Sequence, residues 1–161
     1  MRMSEGVEWA LHCCLNLAFL DPGDAVPAAK LAAFHELPAA YLTKQLQALG
    51  RAGIVSSVPG PRGGFRLARP PERITLLDVV SAIEGAEPAF RCTEIRRQGP
   101  GGGPARDFQI GCTIDVAMRG AELAWRRSLA AQTLADIAAE VERRYPNTPR
   151  RTRRWFAPAL P

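Results

Sequence analysis

Apolar residues recur at helical spacing along most of the chain, and one short stretch turns strand-like. Ser4 reads as the N-cap of a first helix over about 5–20, with Val7, Leu11, Leu15 and Ala18 expected on its apolar face. Asp21-Pro22-Gly23-Asp24 predicts a turn. Pro27 suits the first turn of a second helix that runs to about His35. Pro38 opens a third helix through Tyr41, Leu42, Leu46 and Leu49, closed by the segment from Gly50 to Gly53. Ile54 to Val58 is then strand-like, Pro59-Gly60-Pro61-Arg62-Gly63-Gly64 a glycine-rich turn, and Phe65-Arg66-Leu67 a returning strand. Thr75 caps a fourth helix, Leu76 to Glu84, which Gly85 ends.

From Pro88 to Gly111 periodicity fades around Gly99-Pro100-Gly101-Gly102-Gly103-Pro104, which predicts a long functional or mobile loop. Ile114, Ala117, Ala121, Ala124 and Trp125 restore helical spacing from about Thr113 to Ala131. That helix suits either a helix–helix interface or an intrachain core. Thr133 starts a last helix to about Arg143, and the Pro- and Arg-rich tail beyond Pro146 is expected to be disordered. The fold class is therefore mainly α with a small β-hairpin wing.

Three short helices followed by a hairpin is the order of a winged helix-turn-helix. A helix fits the major groove of DNA, and a hairpin with glycine at its tip can approach the backbone closely. The third helix offers Ala39, Ala40, Tyr41, Thr43, Lys44 and Gln47 for groove entry. Arg51, Arg62 and Arg66 near the wing are suited to phosphates, with Ser57, Gly63 and Gly64 completing the candidate contact surface. The net charge of +5 is compatible with a polyanionic partner. Arg150, Arg151, Arg153 and Arg154 in the tail are read as solvated, with non-specific phosphate contact as the alternative.

The longest apolar stretch, Trp9 to Leu20, contains His12 and Asn16 and is too short to span a bilayer, so a cytoplasmic protein without a membrane partner is expected. Four cysteines in that compartment point to metal or redox chemistry rather than to a disulfide scaffold. No Ser/His/Asp set, phosphate loop or carboxylate pair suggests an enzyme.

Met1-Arg2-Met3-Ser4, Tyr41-Leu42-Thr43-Lys44-Gln45-Leu46, Ala52 to Val58 and Gly60 to Ala68 resemble the Rrf2 family of bacterial regulators, of the IscR and NsrR type. The likeness runs from residue 1 to about 143, and the wing is its most specific part. It implies a winged helix-turn-helix at 1–87, a cluster-binding loop at 88–112, dimerisation helices at 113–145 with a long C-terminal dimerisation helix, and a basic tail at 146–161. It also implies a homodimer on double-stranded operator DNA, acting as a repressor. Pro59 stands where such wings are often basic, and Arg62 where they often have glycine.

Many members hold an iron–sulfur cluster on three loop cysteines. Here Cys92 and Cys112 are the two available, with Gln98 and Pro104 where further thiolates would be expected. The resemblance is closer to redox-sensing members whose 2Fe-2S cluster has two Cys, one Glu and one His. It implies Cys92 and Cys112 from one subunit and Glu8 and His12 from the first helix of the other. The i, i+4 spacing of Glu8 and His12 puts both on one helical face. Glu94 and Asp107 are rival oxygen ligands in the loop, and Trp9 beside Glu8 is read as a packing residue, with redox coupling as the alternative. Of Cys13 and Cys14, one is expected to pack inward. The alternative is a cluster-free regulator sensing through its thiols.

Overall fold

The computed structural model describes residues 3–61 and 63–157, and the side chain of Asp107 is not described. Seven helices and one hairpin are seen among these residues: α1 (Glu5–Ala18), α2 (Ala28–Phe34), α3 (Ala39–Arg51), β1 (Val55–Val58), β2 (Gly64–Leu67), α4 (Leu76–Glu84), α5 (Thr113–Ala130), α6 (Leu134–Arg144) and α7 (Thr148–Phe156). Short 3-10 turns occupy Pro71–Arg73, Ile95–Arg97 and Ala105–Phe108. The chain divides into two compact units. Of the described residues, one holds those within 3–86 and 129–157; the other holds 87–128.

The first unit is the winged helix-turn-helix. Leu42, Leu46 and Leu49 of α3 are fully buried at i, i+4 and i+7 and meet Leu31, Ile54, Ile74, Val79 and Leu134. Each such aliphatic contributes about 1.5–3 kcal/mol by leaving water. The core stripe of α1 is Val7, Ala10, Cys13, Cys14 and Leu17, whereas Leu11, Leu15 and Ala18 are only half-buried. The expected face is thus rotated. The small thiols and alanine let neighbouring helices pack close, which the larger leucines would prevent. Both cysteines, not one, are inside.

Ser4 does precede α1, but its hydroxyl donates to the Glu84 carboxylate at 2.6 Å instead of capping. Thr75 and Thr133 each close a full capping box, with Asp78 and Asp136 respectively. The two N-cap residues pair as an antiparallel bridge, so α4 and α6 start side by side. In the wing, Val55 pairs with Leu67 and Val58 with Gly64. Val26 adds a one-residue third edge, exchanging hydrogen bonds of 2.9 and 2.8 Å with Phe65.

The tail does not match the expectation of disorder. Residues 148–156 form α7, with Phe156 fully buried against Phe34 and the Arg153 guanidinium donating to the Phe19 carbonyl at 3.1 Å. Pro149 in the first turn removes an amide that needs no intrahelical partner, and Phe156 supplies the apolar anchor that composition alone conceals. The expected 113–145 segment also divides. α6 packs on α1 in the winged helix unit, while nearly all of α5 belongs with the loop.

Candidate DNA-binding surface and cysteine site

The buried leucines of α3 turn its other face outward. Ala39, Ala40, Tyr41, Lys44, Gln47 and Arg51 are exposed, and Thr43 is half-buried with its hydroxyl donating back to the Ala39 carbonyl at 2.8 Å. Ser57 is exposed on β1, and Arg66 reaches Ser56 across the hairpin at 3.4 Å. Gly63 and Gly64 are half-buried, and both are required by close backbone approach. A Cβ on Gly63 would lie 2.0 Å from the Val58 carbonyl oxygen, and one on Gly64 would lie 2.2 Å from the Val26 backbone. Arg62 lies outside the described residues.

In the other unit, Cys92, Glu94 and Cys112 converge, one ligand atom from each lying within 4.8 Å of the others. Cys112 immediately precedes α5 and is 9% exposed. The amide of Asp115, at the start of that helix, donates to the Cys112 sulfur and is the main reason its thiol titrates below the usual range. Burial opposes this; the Ile114 amide, the Arg96 charge and a hydrogen bond from Cys92 add to it. A helix N-terminus stabilises a thiolate as it does other anions.

Glu94 sits in the left-handed region at φ 55° and accepts a 2.5 Å hydrogen bond from the Arg96 Nε. The Arg96 Nη2 is buried without a hydrogen-bond partner among the described residues. Phe108 lies under both Arg96 and Arg97, at 5.4 and 5.3 Å. Sequence reasoning missed Arg96. The available signal was an arginine two residues after the rival ligand Glu94, in a loop that also carries two cysteines.

Glu8 and His12 are exposed on α1 and line one surface cleft of about 420 Å³ with Met3, Ser4, Glu5, Val7 and Leu11. The His12 ring lies 5.5 Å from that of His35, whose imidazole bonds Asn16 at 2.8 Å. Burial, then the His12 charge, keeps His35 below the usual imidazole range. Trp9, next to Glu8, meets the Tyr41 ring of α3 edge-on at 5.1 Å. Cys13 and Cys14 face the core, and burial pushes Cys13 up to about 12 and Cys14 higher still. α5 has no buried residue and exposes Ile114, Val116, Met118 and Leu123. Among the described residues no helix is long and apolar enough to cross a membrane.

The profile of the Rrf2 family, described as an iron-dependent transcriptional regulator, matches residues 3–140. An HTH-type transcriptional regulator of Aquifex aeolicus is 39% identical over 86 residues, covering 53% of this chain and 59% of its own length. The chain thus spans little more than half the length of the first curated relatives it matches. Two solved structures share the fold. IscR of T. potens has a TM-score of 0.67 at 21% identity, covering 90% of this chain and 91% of its own. CymR of B. subtilis, titled the global cysteine regulator, has a TM-score of 0.65 at 22% identity, covering 87% and 98%. These relatives are regulators rather than enzymes, as the sequence led us to expect. The helical fold with its two-stranded wing and the match across 3–140 together make the chain a member of the Rrf2 family of transcriptional regulators.

Proposed function

We propose that the protein is a homodimeric repressor of double-stranded operator DNA whose affinity follows the redox state of a 2Fe-2S cluster. The observation that carries this reading is the group of Cys92, Glu94 and Cys112 beside the unpartnered Arg96 Nη2. The donor set fits the cofactor. Two soft sulfur ligands lie close together, one of them already acidified, and a buried cationic donor lacks an acceptor that an inorganic sulfide would supply. Cys92 and Cys112 would be the ligands from one subunit, and Glu8 and His12 of α1 the ligands from the partner subunit. Glu94 is the rival carboxylate.

When bound, the cluster supplies a one-electron redox centre. Neutral His12 in place of a thiolate leaves less negative charge around it, which raises the potential and favours the reduced form. Glu8 is the residue that carries the signal onward. A change in its position moves the adjoining Trp9, and Trp9 bears on Tyr41 of α3. The face of α3 carrying Ala39, Ala40, Thr43, Lys44, Gln47 and Arg51 is the proposed groove reader, with Ser57, Arg62, Gly63 and Gly64 as its wing. The exposed apolar side chains of α5 are the proposed dimer contact.

Anaerobic purification, iron and sulfide assay, and operator titration in both redox states test the reading. The expected result is a coloured dimer whose operator affinity differs between oxidised and reduced protein. Cys92→Ala, Glu8→Ala and His12→Ala are expected to lower cluster content, whereas Glu94→Ala leaves it unchanged. Equal affinities in the two states refute redox switching. Loss of iron in Glu94→Ala alone moves the carboxylate role to the loop. A second reading, thiol sensing without iron, is favoured by the hydrogen bond from Cys92 to the acidified Cys112. Colourless, iron-free protein that still binds its operator would establish it.

A further inference from the structure

The C-terminal helix builds a cleft that the regulator reading leaves unused. It has a volume of about 760 Å³ and is lined by Lys30, Phe34, His35, Arg151, Arg154 and Trp155. Lys30 and Phe34 are one turn apart on α2, as are Arg151 and Trp155 on α7, and Arg154 adds a second cation from α7 to the same space. Phe156 and Arg153 fix α7 in place through Phe34 and the Phe19 carbonyl, which leaves Arg151, Arg154 and Trp155 facing the cleft. The Phe34 and Trp155 rings stand 5.8 Å apart at 63°, and His35 meets Phe34 edge-on at 4.8 Å. The described lining residues carry three cationic side chains and no carboxylate.

We propose that this cleft is a binding site for a small planar aromatic carboxylate. Phe34 and Trp155, in edge-on contact, form one aromatic wall against which the ring packs, and Lys30, Arg151 and Arg154 hold the carboxylate. The volume falls in the ~300–1,000 Å³ range of small-molecule sites, which pair apolar walls with a few placed polar groups. Arginine suits a carboxylate because its planar fork can donate two parallel hydrogen bonds. An inorganic phosphate would leave the aromatic rings without a role. The site stands independently of the cluster. Through His35 it adjoins Asn16 and His12 of α1.

The test uses the full-length chain, with and without iron, and 1-naphthoate as the probe. Trp155 is 46% exposed, which makes its emission a direct readout. Saturable quenching is expected with a Kd of about 10 µM to 1 mM, accompanied by a rise in Tm. 1-Naphthalenemethanol, the neutral analogue, is expected to bind at least about tenfold more weakly. The same loss is expected for naphthoate with Arg151→Ala/Arg154→Ala, whose side chains lie on the exposed face of α7. Trp155→Phe removes the quenching but keeps most of the Tm rise.

Absence of saturation overturns the proposal, as does unchanged naphthoate binding in the double variant. Protection by inorganic phosphate equal to that by naphthoate also overturns it. So does a double variant that binds naphthoate normally but loses salt-dependent affinity for duplex DNA, because Arg151 and Arg154 would then be nucleic-acid contacts. Equal binding with and without iron separates these outcomes from any failure of the cluster reading.

Discussion

The two pairs of cysteines occupy opposite chemical settings. Cys13 and Cys14 lie at zero exposure on α1, among Leu42, Leu46 and Leu49, where burial disfavours the thiolate. Cys92 and Cys112 lie in a unit whose main helix buries nothing, beside Arg96 and the first amides of α5. One pair packs the core, whereas in the other the Cys112 thiol is held below its usual range, although the residue type is the same. The same division runs through the two units as a whole. The winged helix unit closes its own core, whereas α5 leaves large apolar side chains uncovered.

Alkylation separates the two settings most strongly. Moving the Cys13 thiol from 9.0 to about 12 cuts its thiolate fraction by about 10³ at neutral pH. In iron-free protein, iodoacetamide with mass mapping is therefore expected to label Cys112 and leave Cys13 and Cys14 untouched. Because the Cys112 thiol titrates below its usual range, its labelling persists as pH falls. Arg96→Gln removes one cause of that acidity and moves the rate profile toward alkaline pH. Labelling of Cys13 in folded protein would erase the contrast.

Core truncation comes next. Leu46→Ala is expected to cost about 2–5 kcal/mol in urea unfolding, because a fully buried leucine leaves a cavity. Ile114→Ala on α5 is expected to stay within about 0.5 kcal/mol for the monomer and to weaken self-association, read by sedimentation at several concentrations. A comparable monomer loss in both would show that α5 packs within its own chain.

Gly64→Ala is expected to cost about 1–3 kcal/mol and to weaken operator binding, because the added methyl meets the Val26 backbone. Iron content should not change in that variant, which would confine the damage to the wing. A modest effect is expected at the caps. Thr75→Ala and Thr133→Ala are each expected to cost about 1 kcal/mol of thermal stability, since both hydroxyls accept the N3 amide of their helix.

Much of this fold was legible wherever a local signal acts alone. Thr75 and Gly85 bound α4 as expected, and Leu42, Leu46 and Leu49 are the core stripe that their spacing predicted. The α1 stripe was misjudged because cysteine and alanine carry little hydrophobic signal, yet they fill the tightest positions. α7 was missed because its arginines mask a single anchoring phenylalanine, and that anchor works only through Phe34, more than a hundred residues earlier. The convergence of Glu94 with the two cysteines depends on a loop of irregular backbone, where no periodicity guides the eye. Arg96 was overlooked in the same loop, although its place two residues after Glu94 was a signal.

The bridge between Thr75 and Thr133 has a topological consequence. Residue 86 leaves the winged helix unit just past the end of α4, and residue 129 rejoins it near the start of the same helix. The entry and exit points are therefore separated by roughly the length of a nine-residue helix, about 14 Å. The loop and α5 amount to an insertion looped out of an otherwise continuous host. Excising 87–128 and splicing the ends with a few flexible residues should yield a miniature that retains its groove-facing helix and lacks Cys92, Glu94 and Cys112.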